Sequence, residues 1–133
     1  MITHLLDTQA WIWFFGQHPR ASKLVDQLPP DAQLGIAAIT VWEAAMLEVK
    51  GRVTFHYDLI TKVREMESTQ DCLLVPLLPE IAITSTRLEG MHSDPSDRIV
   101  VATALHTGAT LVTSDGNILS WAASKGRLKI LAI

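Results

Sequence analysis

DPSDRIVVATALHTGATLVTSD, Asp94 to Asp115, holds a helix start, a helix stop and a strand in one short run. Asp94 is placed to accept the first unpaired N–H groups of a helix, and Pro95 carries the φ angle a first helical residue needs. Gly108 marks the stop. ATLVT then reads as a buried strand that ends just before Asp115. A helix running straight into an apolar strand is half of a βαβ unit.

The pattern repeats outward from this stretch. Downstream, NILSWAAS reads as a short helix and LKILAI as a last strand. Upstream, PEIAITSTRLEG is a helix with Pro79 near its start, and CLLVPL is a buried strand. FHYDLITKVREME places Leu59, Ile60, Val63 and Met66 on a helical stripe. A helix from Thr40 to about Lys50, stopped by Gly51, follows the strand QLGIAA. ASKLVDQL is a helix closed by Pro29-Pro30. TQAWIWFF is a helix capped by Thr8 and stopped by Gly16 and Pro19, and ITHLLD is a strand ending at Asp7. The order β–α–α–β–α–α–β–α–α–β–α–β predicts an α/β fold. It describes one three-layer domain over residues 1–133, with a mostly parallel central sheet flanked by helices.

The 133 residues are 48% hydrophobic and 19% charged, a globular composition. A net charge of -3 argues against a nucleic-acid partner held by a basic face alone. That argument weakens where acids are gathered in one place and neutralised by cations. Cys72, the single cysteine, excludes an intrachain disulfide and a thiolate metal cage, and reads as a small apolar strand residue. The N-terminus has no basic region and AWIWFF is too short to span a bilayer, so a cytoplasmic protein without membrane contact is expected.

Four carboxylates stand out by position. Asp7 and Asp115 fall at strand C-termini, and Glu43 and Asp97 in the first turns of helices. In a parallel α/β sheet these places share one edge, where such folds bind ligands. Each acid also has a structural reading. Thr40-Val41-Trp42-Glu43 matches a capping box, Asp94 to Asp97 a capped helix start, and Asp115-Gly116 a turn pair. The coincidence of all four on one edge favours a site. Clustered carboxylates repel unless a cation compensates them, and an all-oxygen set suits Mg²⁺ or Mn²⁺. The five histidines show no metal-binding spacing, and no serine elbow or Gly-rich phosphate loop is present. Asp7-Thr8-Gln9 lacks the D-x-D of a phosphatase, and no adjacent acidic pair of a receiver domain follows the first strand.

LLDTQAW, TVWEAAM and DPSDRIVVATALHTGATLVTSD, in that order, resemble a PIN-domain ribonuclease of the VapC toxin type over nearly the whole chain. Carried over by position, the family's acidic residues fall on Asp7, Glu43, Asp97 and Asp115. Thr8 and Thr113 match polar positions flanking the family's site, and Asp94 and Arg98 match its D-P-x-D-R form. The resemblance implies an Mg²⁺- or Mn²⁺-dependent RNA endonuclease, a cognate VapB-like antitoxin and a homodimer. Where some members carry a further acid or amide after the last aspartate, this chain has Gly116-Asn117, which leaves the metal count open.

The expected arrangement has Asp7, Asp97 and Asp115 on one ion, with Glu43 serving a second ion or a water. Arg98, Lys50 and Arg52 are the expected phosphate contacts. TQAWIWFF is apolar all round, so it needs more than one packing surface. Trp11, Trp13 and Phe14, with Met46 and Leu47, are therefore candidates for an antitoxin or dimer contact, beside the reading of full core burial. The alternative to the enzyme is a catalytically silent PIN-like module that binds RNA or protein.

Overall fold

The computed structural model describes residues 1–16 and 18–133. Its elements are β1 (His4–Leu6), α1 (Thr8–Phe15), α2 (Pro19–Gln27), β2 (Leu34–Ala37), α3 (Ala38–Val49) and α4 (Leu59–Thr69). They continue with β3 (Cys72–Val75), α5 (Pro79–Ser85), α6 (Pro95–Thr107), β4 (Thr110–Thr113), α7 (Gly116–Lys125) and β5 (Ile130–Ala132). The order is the one expected from the sequence. All strand pairs are parallel, in the sheet order β3-β2-β1-β4-β5.

Side-chain alternation divides the core in two. Leu5 and Leu111 lie side by side in register and face α5, α6 and α7, packing with Ile81, Val101, Ile118 and Trp121. Leu6, Ile36 and Val112 point the other way, onto Trp11, Leu24, Ala44, Val63 and Met66. Both faces of the sheet are thus covered, as a fully parallel sheet requires. Gly35 has a packing reason: a Cβ there would stand 2.6 Å from the Ile2 side chain, which crosses that face.

The helix starts differ from expectation in two places. Asp7, not Thr8, caps α1, its Oδ1 accepting the Ala10 N–H at 2.8 Å. β2 turns into α3 with no loop between them, so Ala37 is the cap and makes no side-chain cap bond. Thr40 is already inside the helix and Glu43 lies in its second turn, so the capping box does not form. Asp94 and Asp115 do cap α6 and α7, accepting the N–H groups of Ser96 and Ile118, each at 3.0 Å. Pro19 opens α2 rather than merely ending α1. Cys72 is buried, and burial pushes its thiol up to about 12, the state of an inert packing residue. Among the described residues no helix is long and apolar enough to cross a membrane.

Candidate active site

Strand order decides where the cleft opens. From β1 the sheet grows through β2 to β3 on one side and through β4 to β5 on the other. The chain therefore reverses direction across the sheet between β1 and β4, and a crevice forms at their C-terminal ends. Asp7 directly follows β1, and Asp115 stands just beyond β4. α3 brings Glu43 to the same place and α6 brings Asp97. All four carboxylates line one cleft of about 300 Å³, with Thr8, Gln9, Leu47, Val100 and Ser114.

Each acid meets a hydrogen-bond donor. Asp7 is 8% exposed, and its second oxygen, Oδ2, accepts the Thr113 hydroxyl at 2.5 Å. The same Thr113 oxygen accepts the Asp115 backbone N–H at 3.0 Å, so one fully buried hydroxyl ties two of the acids together. Glu43 Oε1 accepts the Thr8 hydroxyl, whose oxygen also lies 3.3 Å from that of Thr40. Asp97 Oδ2 is 2.7 Å from His92 Nε2. The side-chain donors Thr113, Thr8 and His92 come from other elements than the acids they serve, so the tertiary fold sets much of the site.

The electrostatics are those of crowded like charges. Burial pushes Asp7 up from 3.8 to about 6; Thr113 and the Ala10 N–H pull it down, while Asp97 and Asp115 push it further up. Glu43 is raised first by partial burial, against the Thr8 hydrogen bond, and then by Asp97, Asp94 and Asp115. Asp97 is raised by burial, lowered by His92, and raised by Asp94 and Asp115. The N-terminal ends of α1, α6 and α7 reach the cleft, and their partial positive charge offsets part of this repulsion.

The donor set fits a hard divalent ion. It is all oxygen, and its groups hold raised pKa values that a cation would relieve. Among the described residues, no three acidic, His or Cys side chains stand close enough together to grip an ion as they are. A wide ring of this kind suits Mg²⁺, which keeps several waters and takes only one or two carboxylates directly.

The other expected residues scatter. Asp94 is exposed, caps α6 and faces a neighbouring apolar groove rather than the cleft. Arg98 is turned into the protein and does not line the cleft. Its guanidinium donates to four backbone carbonyls, those of Ser85 (2.8 Å), Leu88 (3.2 Å), Met91 (2.9 Å) and His92 (3.1 Å). Lys50 and Arg52 are exposed just past the end of α3.

Trp11, 1% exposed, belongs to the core and donates its indole N–H to Met66 Sδ at 3.2 Å, which removes it from any interface. Trp13 is half-buried, stacked on His18, with Arg20 over its ring. Phe14, Met46 and Leu47 line three different depressions, the last being the acidic cleft. Sequence reasoning missed His92, dismissed with the other histidines, and Trp42, which is 56% exposed beside Met46. The only signal for His92 is its place just ahead of a capped helix that carries an acid.

The PIN domain family model matches residues 4–123. The chain belongs to the PIN-domain family. This PIN domain is 30% identical over 122 residues to the protein named Ribonuclease VapC22 of Mycobacterium tuberculosis (strain ATCC 25618 / H37Rv), a match covering 90% of this chain and 92% of that protein. Its fold is shared by a toxin–antitoxin complex from Klebsiella pneumoniae, with a TM-score of 0.66, 22% identity, and 98% and 97% of the two chains covered. VapBC2 from Rickettsia felis, bound to a DNA fragment from its promoter, has a TM-score of 0.69, 14% identity and 99% of both chains covered. At such identities these two structures establish the fold alone.

Proposed function

We propose that this PIN domain is an endoribonuclease, the toxin of a type II toxin–antitoxin pair, and that Asp7, Glu43, Asp97 and Asp115 hold Mg²⁺ or Mn²⁺ for the reaction. One observation carries the reading: four carboxylates from four separate elements line a single cleft at the point where the sheet reverses direction. The 30% identity to Ribonuclease VapC22 supports RNA as the substrate. A divalent ion held there supplies Lewis-acid stabilisation of the phosphoryl oxygens and lowers the pKa of water.

The chain's own residues do the rest. Thr113 fixes the Asp7 carboxylate and the backbone of Asp115 relative to each other. Thr8 directs Glu43 from α1 across to the cleft. Glu43, oriented by that hydrogen bond, would hold a second ion or a water bound to the first. Leu47 and Val100 form the apolar wall that limits water around these groups. Lys50, one turn beyond Leu47 on the same side of α3, and Arg52 meet the flanking phosphates and draw RNA to an acidic protein.

A VapB-like antitoxin is an expected partner, which the likeness to toxin–antitoxin complexes supports, and a second copy of the chain is expected beside it. The groove of Phe14, His18 and Val25 and that of Trp42, Met46 and Pro95 offer them apolar surface. A cytoplasmic site of action fits the proposed RNA target.

The test is cleavage of total bacterial RNA by antitoxin-free protein with Mg²⁺, with EDTA and with Asp97→Asn. Discrete fragments that need both the ion and Asp97 are expected. Intact RNA with folded, metal-loaded wild type would favour a binding module instead.

A further inference from the structure

Asp97, unlike Asp7 and Asp115, takes no hydrogen bond from the helix at whose start it stands, among the described residues. It lies on the third residue of α6, where Asp94 and Pro95 fix the backbone but leave the carboxylate free to rotate. Asp94 and Asp115, on either side, repel its charge. One side chain opposes that rotation. His92 Nε2 stands 2.7 Å from Asp97 Oδ2, and the two side chains are 26% and 22% exposed. No donor among the described residues meets Oδ1, which leaves that oxygen for the cleft.

The imidazole is held in turn. Arg98, the residue next to Asp97, fastens the loop between α5 and α6 through the carbonyls of Leu88, Met91 and His92, and the end of α5 through that of Ser85. Trp121 donates its indole N–H to the Glu89 carbonyl at 2.8 Å, and Leu88 and Met91 are buried in the core. The same helix therefore carries the acid and the arginine that fastens its partner's backbone. A loop pinned at so many points can present one side chain in one place. An ordinary surface ion pair has no such scaffold.

We propose that His92 is a positioning residue for the candidate metal ligand Asp97, its Nε2–H fixing one carboxylate oxygen so that the other faces the ion, with Arg98 as the clip that sets His92. The inference rests on the metal-dependent reading given above. A hydrogen on Nε2 is all the role requires, so the neutral Nε2–H tautomer and the imidazolium both serve. Glutamine in its place can offer an amide N–H at similar reach, and leucine cannot.

The experiment is Mn²⁺ titration of metal-free protein by calorimetry for wild type, His92→Leu, His92→Gln and Asp97→Asn, with thermal unfolding of each. His92→Leu should weaken Mn²⁺ binding about 10–100-fold, the usual effect of removing a partner that orients a ligand, and His92→Gln should restore most of it. His92→Leu binding like wild type, while Asp97→Asn loses the ion, would overturn this inference and leave the site reading standing. Wild type and Asp97→Asn binding alike, or neither binding, would overturn both. A long-range ¹H–¹⁵N imidazole spectrum of the wild type needs no variant to fold. A neutral His92 protonated on Nδ1 would refute the proposal, and a hydrogen on Nε2 supports it.

Discussion

Asp7 should make the metal-free protein less stable as pH rises. Its carboxyl is almost fully buried and titrates at about 6 when folded, against 3.8 when exposed. The folded state therefore holds the proton more tightly than the unfolded chain. Stability from this group is complete below pH 3.8 and is lost as pH rises through about 6. At ~1.36 kcal/mol per pH unit, the shift amounts to about 3 kcal/mol by pH 8. Glu43 and Asp97, also raised, add in the same direction.

Asp7→Asn removes the ionisation but not the shape. Asparagine can still accept the Ala10 N–H, yet it offers an amide where Thr113 now donates, which costs about 1 kcal/mol. Asp7→Asn in EDTA should thus be more stable than wild type by about 2 kcal/mol at pH 8, and equal or less stable at pH 4. Urea denaturation at pH 4, 6 and 8 in EDTA measures both. Wild-type stability that stays flat or rises between pH 5 and 8 would refute the reasoning, as would a variant no more stable than wild type at pH 8. With Mn²⁺ present the order at pH 8 should invert, because only the wild type gains from the ion.

Thr113→Val keeps the shape and strips a hydroxyl that serves Asp7 and Asp115. A loss of about 2–3 kcal/mol is expected in urea, larger at pH 8 than at pH 5 because the ionised Asp7 needs the donor more. Trp11→Ala should destabilise by about 3–5 kcal/mol as a core truncation, whereas Trp13→Ala, half-exposed, should cost well under half of that; thermal melts compare them. Arg98→Lys should lower the melting temperature, since an ammonium cannot meet four carbonyls spread over the loop and the end of α5. An unchanged melt with a raised KM for RNA would restore the phosphate role expected from the sequence.

Features whose cause lies within a few residues were legible in the sequence. Asp94-Pro95 and Asp115-Gly116 start helices by local chemistry alone, and their helices lie where expected. The four acids were found because strand ends and helix starts share an edge in any parallel sheet, a rule that needs no knowledge of packing. Glu43 reaches the cleft as expected, but from the second turn of α3 rather than the first, and its structural alternative does not form. Thr40 to Glu43 has the letters of a capping box, but β2 hands over to α3 without a loop, so the helix begins before the box can form. The side-chain hydrogen bond to Glu43 comes from Thr8, thirty-five positions away in the chain. The contacts of His92 and Arg98 escaped the sequence for the same reason: their partners are set by how α5 packs on α6, which no local pattern records.

The hydrogen bonds divide the site into two unequal parts. Asp115, Thr113 and Asp7 form one chain of contacts, and Thr8, the next residue after Asp7, extends it to Glu43. β4, β1, α1 and α3 are thus tied into a single block, and a change at Thr113 or Thr8 reaches more than one acid. Asp97 stands outside that block of hydrogen bonds, its carboxylate joined among the described residues to His92 alone. The backbones of the two parts pack through α6, but their carboxylates repel across the cleft. A cation between them would turn that repulsion into the attraction that closes the ring. Asp97 is then the acid whose loss should least disturb the fold and most disturb the ion, which makes Asp97→Asn the variant that separates chemistry from stability.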